Sequence, residues 1–118
     1  MLYLGVDLGG TNIKAALVQE NGEILREGSR PTNLPRPAEA VCDDIAALCL
    51  SLMEEAGCGR EKVGGIGVGC PGTVDDSTGM VRYSNNLAWK NFPMGQYLQD
   101  RTGLRVRLGN DANVAALG

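Results

Sequence analysis

The chain has 118 residues, the length of one domain, and 43% of them are hydrophobic, which is enough to form a buried core. Its 11 basic and 14 acidic residues give a net charge of −3, so there is no basic excess to favour nucleic acid as a partner. The chain has no histidine and its four cysteines form no Cys-x-x-Cys pair, which excludes a Cys/His zinc site. With no membrane-length apolar segment and no secretory signal, and with free thiols, we expect a cytoplasmic protein.

The first third of the chain predicts three strands joined by tight turns. The strands are expected over residues 2–7, 13–19 and 23–29. Gly9-Gly10 marks the first turn, and Asn21-Gly22 is a two-residue hairpin signal. Three strands connected in this way form an antiparallel meander.

The remainder of the chain alternates helices and strands. Pro37 suits the first turn of a helix, apolar residues recur at helical spacing from Ala38 to Leu52, and Gly57 supplies a stop. The later elements predicted are a strand over 63–70, a polar turn over 75–79, a brief strand over 80–83, a helix over 93–101 ended by Gly103, a strand over 104–108 and a helix over 112–117. The order predicts an α/β protein whose meander leads into βαβ crossovers, with a mixed sheet and helices on its faces.

A glycine turn between the first two strands carries the first candidate site, Asp7-Leu8-Gly9-Gly10-Thr11-Asn12-Ile13-Lys14. The glycines let the backbone approach a ligand, and successive N–H groups beside the Thr11 hydroxyl can form a cradle for an anion. Asp7 at the strand end can hold Mg²⁺, usually through water, so the segment has the parts that a nucleotide triphosphate needs. The alternative is a plain hairpin. Lys14 either reaches a phosphate or is a solvated surface residue.

A carboxylate at a later strand end is the second candidate. Asn110-Asp111 follows the strand over 104–108 directly, and ligands of open α/β sheets bind at the carboxyl ends of strands. Asp111 is therefore placed to act as a general base on an alcohol that is phosphorylated, and Asn110 could bind a neighbouring hydroxyl. Helix capping is the alternative role for both residues.

The loops between these two sites offer further polar groups. Close backbone approach at Gly72 suits a small polyol, and Asn86 offers an amide that can donate and accept hydrogen bonds. The alternative is an ordinary solvated loop. Trp89 is left out of the site, because an aromatic residue in a loop more often packs on the core.

Taken in order, these segments resemble the ROK family, which comprises bacterial sugar kinases and related transcriptional repressors. The resemblance covers nearly the whole chain and rests on Asp7–Lys14, Gly69–Asp75, Asn86–Trp89 and Asn110–Asn113. It implies the actin-like, ribonuclease-H-like fold, with two α/β domains that flank a cleft. It also implies ATP and Mg²⁺ as cofactors, a sugar as substrate, no nucleic acid or membrane partner, and a homodimer at full length.

The resemblance also assigns residues to roles. The resulting assignments are Gly9, Gly10, Thr11, Asn12 and Lys14 to the ATP phosphate loop, Asp7 to the magnesium, Asp111 to the catalytic base, and Gly72, Asn86 and Asn110 with Asp111 to the sugar pocket. Residues 1–118 would then be the N-terminal phosphate- and sugar-binding domain of a hexose kinase, with glucose as the first choice of substrate.

Other parts of the family pattern are absent. The glutamate–histidine sugar motif, the cysteine-rich zinc motif and the adenosine pocket all belong to the second domain. We therefore expect this chain alone to have no useful kinase activity. Two alternatives stay open, a sugar-responsive repressor of the same family and a non-catalytic sugar-binding domain. The repressors carry a DNA-binding module ahead of the phosphate motif, and here the first strand follows Met1 at once, which favours the kinase.

Overall fold

A five-stranded mixed sheet forms the centre of the protein. The computed structural model describes residues 1–70, 73–75, 79–84 and 89–109, with only the backbone described at 73–75, 82–84 and 89–91. The chain begins with an antiparallel meander of three strands, which are β1 (Leu2–Leu8), β2 (Asn12–Gln19) and β3 (Ile24–Pro31). The predicted meander is confirmed, with bounds that differ by one or two residues.

The hairpin turn between β2 and β3 is longer than the two-residue turn predicted. Its Gly22 has a φ of 89°, and the Gly22 N–H donates to the Gln19 carbonyl at 2.9 Å. The side chain of Asn21 accepts the Glu23 N–H at 2.9 Å, as short polar side chains in turns commonly do. Because this local bond occupies Glu23, β3 starts one residue later than expected.

Residues 63–92 add one strand to the sheet and then form a second, smaller sheet. Strand β4 (Val63–Gly69) pairs in parallel with β1. The second sheet is antiparallel and consists of β5 (Thr73–Asp75), β6 (Met80–Ser84) and β7 (Trp89–Phe92). Only β6 was predicted. The loop predicted at 73–75 and at Trp89 was wrong, because strands of three or four residues have too few positions to show alternation.

The last described strand, β8 (Val106–Gly109), pairs in parallel with β4 and completes the order β3-β2-β1-β4-β8. It begins two residues later than predicted. Leu104 is apolar because it is buried ahead of the strand, so the apolar run in the sequence starts before the strand does. The result is the mixed sheet expected, with antiparallel strands on one side of β1 and parallel strands on the other.

Two helices end where glycine allows them to end. Helix α1 (Ala38–Ala56) begins directly after Pro37, and α2 (Met94–Thr102) directly after Pro93. Gly57 and Gly103, with φ values of 69° and 72°, follow the two helices in the left-handed conformation that glycine adopts at low cost. These two of the three predicted helices, and the stops predicted for them, are confirmed.

The core lies between the sheet and these helices. Alternate residues of β1 and β2 are buried, and so is the apolar stripe of α1, including Cys42 and Cys49. Burial raises the pKa of the Cys49 thiol to about 12, so it stays protonated. Helix α1 packs on β2 and β3, while α2 packs on α1 and β8. Both helices of the described part thus cover one face of the sheet, and a helix on the other face stays a prediction. The predicted helix over 112–117 lies outside the described residues.

Within the described residues, no helix has both the length and the apolar character of a membrane span.

Candidate functional site

Three neighbouring parallel strands end together at one edge of the sheet. In the register of the sheet, Asp7 of β1 lies beside Gly69 of β4, and Gly69 lies beside Gly109 of β8. Neighbouring strands lie about 4.8 Å apart, so the three positions span roughly 10 Å. The Cys70 N–H donates to the Gly109 carbonyl at 2.9 Å and ties the last two strand ends together. Three of the four segments singled out in the sequence lie at these strand ends, and the fourth, Asn86–Trp89, comes after β6.

A shallow cavity opens beside this edge, on the face of the sheet opposite the helices. Asp7 and Lys14 face each other across β1 and β2, and both are exposed. They line a cavity of about 610 Å³, together with Gly5, Ala16, Glu27, Ser29 and Gly69. In the described part of the chain, no ion pair or side-chain hydrogen bond engages either charge. A carboxylate and an ammonium are therefore available to a ligand at the same place.

The phosphate turn, defined here as residues 9–11, is closed by its own backbone. The Gly9 N–H donates to the Asn12 carbonyl at 3.0 Å. A Cβ added at Gly9 would lie 3.0 Å from the same oxygen, which is tighter than nearly all real contacts, so the close approach requires glycine here. Neither Gly9 nor Gly10 has a positive φ. The glycines therefore serve through close packing and open space, rather than through a left-handed backbone.

Two N–H groups of this turn remain for a ligand. Among the described residues, no backbone acceptor takes the N–H of Gly10 or Thr11. Both residues are exposed, and a Cβ added at Gly10 would meet nothing within 4 Å. The Gly9 N–H is already used, which narrows the predicted anion cradle to the N–H groups of Gly10 and Thr11 beside the Thr11 hydroxyl. Asn12 contributes its carbonyl to the closure of the turn, and its side chain is exposed.

One residue that holds this turn was missed by sequence reasoning. Thr32 directly follows β3 and is fully buried. Its hydroxyl donates to the Gly9 carbonyl at 2.8 Å, and its N–H donates to the Thr11 carbonyl at 2.9 Å. The contact to Gly9 joins residues 23 positions apart, so no local pattern could have found it.

Four of the predicted site residues, namely Gly72, Asn86, Asn110 and Asp111, lie outside the described residues. In the described ranges, no cluster of three or more histidine, cysteine or acidic side chains could hold a metal ion. A lone exposed carboxylate such as Asp7 nevertheless fits Mg²⁺, because that ion is commonly held by one or two carboxylates, water and the phosphates of a nucleotide.

Comparison with known proteins agrees with this arrangement. The model of the ROK family matches residues 3–118. The chain belongs to the ROK family. It is 40% identical over 116 residues to a glucokinase from Thermotoga maritima, covering 98% of this chain and 35% of the relative. It is also 32% identical over 117 residues to a putative xylose repressor from a Caldicellulosiruptor species, covering 99% of this chain and 29% of the repressor.

Solved structures of this ROK family share the fold. The ROK glucokinase from Streptomyces griseus, crystallised with glucose and AMPPNP, matches 98% of this chain with a TM-score of 0.85 and 38% identity. The match covers 35% of the glucokinase. The predicted actin-like fold is thereby confirmed. This chain spans about a third of the length of the curated relatives it matches.

Proposed function

We propose that residues 1–118 are the N-terminal phosphate- and sugar-binding domain of an ATP-dependent hexose kinase that transfers the γ-phosphoryl group of ATP to a hydroxyl of glucose. The observation that carries this proposal is the common edge of β1, β4 and β8. The phosphate turn follows β1, the segment with Gly72 follows β4, and Asn110-Asp111 follows β8. Ligands of open α/β sheets bind at such an edge.

The nucleotide is assigned to the β1–β2 side of the edge. The N–H groups of Gly10 and Thr11 would donate to phosphate oxygens, and Lys14 would add a positive charge from β2. Asp7 would hold Mg²⁺ through water, and that ion, when bound, neutralises charge on the phosphates. Because Asp7 and Lys14 line the same cavity, the ion and the ammonium can act on one phosphate chain.

The sugar is assigned to the β4–β8 side of the edge. Asp111 follows Gly109 by two residues and would accept the proton of the attacking sugar hydroxyl. The hydroxyl oxygen forms a bond to the γ-phosphorus as the bond between that phosphorus and the bridging oxygen breaks, and ADP leaves with the bond's electron pair. Asn110, Gly72 and Asn86 would line the sugar pocket. The second domain, which is absent from this chain, would supply the rest of the site.

Several observations support glucose and the accompanying assignments. Both the Thermotoga relative and the Streptomyces structure are glucokinases, and the latter holds glucose with AMPPNP. We further propose that the protein is cytoplasmic, since no disulfide joins its four cysteines, and that the full-length protein is a homodimer. The dimer interface would lie outside residues 1–118.

The test is ADP release by a protein of the relatives' length that carries this chain, measured against a panel of hexoses. We expect turnover with glucose, and a loss of 100-fold or more, on the order of a general base's contribution, in Asp111→Asn. The matched control is Asp100→Asn, which neutralises an exposed aspartate of α2 and should leave turnover unchanged. Residues 1–118 alone should show no turnover. Full activity of Asp111→Asn would refute the base.

The repressor stays the second candidate, because the match to the Caldicellulosiruptor repressor covers 99% of this chain, about as much as the 98% covered by the match to the Thermotoga glucokinase. A repressor would bind sugar without consuming ATP. Absence of ADP release with every hexose, together with sugar-dependent binding to operator DNA, would select it over the kinase.

A further inference from the structure

Thr32 fixes the direction of a nucleotide-binding N–H group through the geometry of the peptide bond. The Gly9 carbonyl, which accepts the Thr32 hydroxyl at 2.8 Å, belongs to the same planar peptide unit as the Gly10 N–H. In a trans peptide the C=O and N–H point in opposite directions. Holding the carbonyl towards the buried Thr32 therefore aims the Gly10 N–H away from it, towards solvent, where a phosphate would lie.

The second bond from Thr32 holds the other end of the turn. The Thr32 N–H donates to the Thr11 carbonyl at 2.9 Å. Both carbonyls that flank the exposed Gly10-Thr11 stretch are thus held by one residue. A side chain with no hydroxyl at position 32 would release the Gly9 carbonyl while the bond to Thr11 remained.

Thr32 is itself held in place by an arginine. The Arg36 guanidinium donates to the Thr32 carbonyl from Nε at 3.0 Å and from one terminal nitrogen at 2.9 Å. The same terminal nitrogen donates to the Asp44 carboxylate on α1 at 2.7 Å. These side chains are partly buried, with 26% and 31% of their surfaces exposed, so solvent weakens the pair less than it would a fully exposed one. The line of contacts runs from α1 through Arg36 and Thr32 to the phosphate turn.

We propose that Thr32 is a positioning residue for the nucleotide phosphates and that Arg36, anchored on Asp44, fixes Thr32 for that task. The inference rests on the proposed function. It predicts a change in the KM for ATP that the KM for the sugar does not share. Thr32 contacts the turn that follows β1, and β1 lies two strands away from β8 in the sheet.

The first test compares Thr32→Val with Thr32→Ser in the full-length protein. Valine keeps the shape and removes the hydroxyl, whereas serine keeps the hydroxyl. We expect Thr32→Val to raise the KM for ATP about 10-fold, the equivalent of one lost hydrogen bond, with the KM for glucose unchanged. Thr32→Ser should stay within about twofold of the unmodified protein. Equal changes in both KM values, or no rescue by serine, would overturn the inference.

A second pair of variants decides the matter if Thr32→Val does not fold. Arg36→Met removes both donors to the Thr32 carbonyl. Arg30→Met is the matched control, because Arg30 also lies near Asp44, at 3.9 Å, but makes no contact with Thr32 among the hydrogen bonds of the described residues. We expect a several-fold rise in the KM for ATP in Arg36→Met alone. The same rise in both variants would show that only the charge at Asp44 matters, and would refute the positioning role.

Activity of the unmodified protein separates this inference from the function on which it rests. If the unmodified protein phosphorylates no hexose, the proposed function fails and the inference with it. If it phosphorylates glucose and Thr32→Val does so with an unchanged KM for ATP, only the inference fails. Amide hydrogen exchange gives a readout without turnover: protection of the Gly9 N–H, which closes the phosphate turn on the Asn12 carbonyl, should fall in Thr32→Val and not in Thr32→Ser, and identical protection in both variants would contradict the proposal.

Discussion

Two turns connect the three strands of the meander, and they differ in where their hydrogen bonds come from. The hairpin turn between β2 and β3 makes its own hydrogen bonds, from the Glu23 N–H to the Asn21 side chain and from the Gly22 N–H to the Gln19 carbonyl. Gly22 adopts the positive φ that this turn needs. The phosphate turn between β1 and β2 makes one bond of its own, from the Gly9 N–H to the Asn12 carbonyl, but it leaves the N–H groups of Gly10 and Thr11 without a described backbone partner and is also held by the distant Thr32. A turn that satisfies itself is a connection, whereas a turn that keeps donors open and borrows its support is typical of a binding site.

The largest expected effect comes from Gly9→Ala. The added Cβ would lie 3.0 Å from the Asn12 backbone oxygen, so the phosphate turn must shift. A shift of a few tenths of an ångström relieves this contact, so we expect kcat/KM for ATP in the full-length protein to fall about 10-fold, less than the 100-fold that a displacement of about 1 Å can cause. The free energy of unfolding should fall by about 1–3 kcal/mol, measured by urea titration. Unchanged kinetics would mean that the turn tolerates displacement, and would contradict the claim that the phosphate turn, unlike the hairpin turn, belongs to a binding site.

The next prediction compares one glycine of each turn, by its effect on the free energy of unfolding and on the KM for ATP. Gly22→Ala strains a backbone with a φ of 89° and should cost about 1 kcal/mol of unfolding free energy, with the KM for ATP unchanged. Gly10→Ala meets nothing within 4 Å and should leave the unfolding free energy within about 0.5 kcal/mol. Its methyl group would occupy the space through which a phosphate approaches, so the KM for ATP should rise.

Urea unfolding and steady-state kinetics on both variants check this pair. A loss of stability in Gly10→Ala, or a change of KM in Gly22→Ala, would contradict the division of roles between the two turns.

The smallest effect is expected from Asn21→Ala. The variant removes the exposed bond to the Glu23 N–H and should cost about 0.5 kcal/mol, at the low end for one hydrogen bond. Asn21→Asp keeps an acceptor oxygen and serves as the control in thermal unfolding. A larger loss than that of Gly22→Ala would show that the side chain, rather than the glycine, closes the turn.

Elements with a strong local signal were predictable from the sequence. Helix α1 followed from apolar spacing and ended at Gly57 as expected, and the meander followed from its two glycine turns. The side of the sheet on which Lys14 lies was not predictable, because its position opposite Asp7 depends on the register of β1 and β2. The register shows that both side chains line one cavity, and a contact between Lys14 and a phosphate stays a prediction.

Features that depend on distant contacts were missed. Strands β5 and β7 are too short to show a pattern, and they exist because each pairs with β6. In the sequence, nothing distinguishes Thr32 from other polar residues that follow a strand. Its role is seen only in the hydrogen bond from its hydroxyl to the Gly9 carbonyl. The sequence predicted an anion cradle of successive N–H groups without showing which of them are open, and only the backbone geometry reveals that the Gly9 N–H is taken by the Asn12 carbonyl.

The connection between β2 and β3 limits which insertions and deletions evolution can accept. Side chains alternate along a strand, so adding one residue to that connection and shifting β3 by one position would turn every β3 side chain to the opposite face. Thr32 follows β3 directly and would be carried away from Gly9. The number of connecting residues is therefore constrained by the contact between Thr32 and the phosphate turn, which the connecting residues never touch, whereas their identity is constrained locally by the positive φ of Gly22.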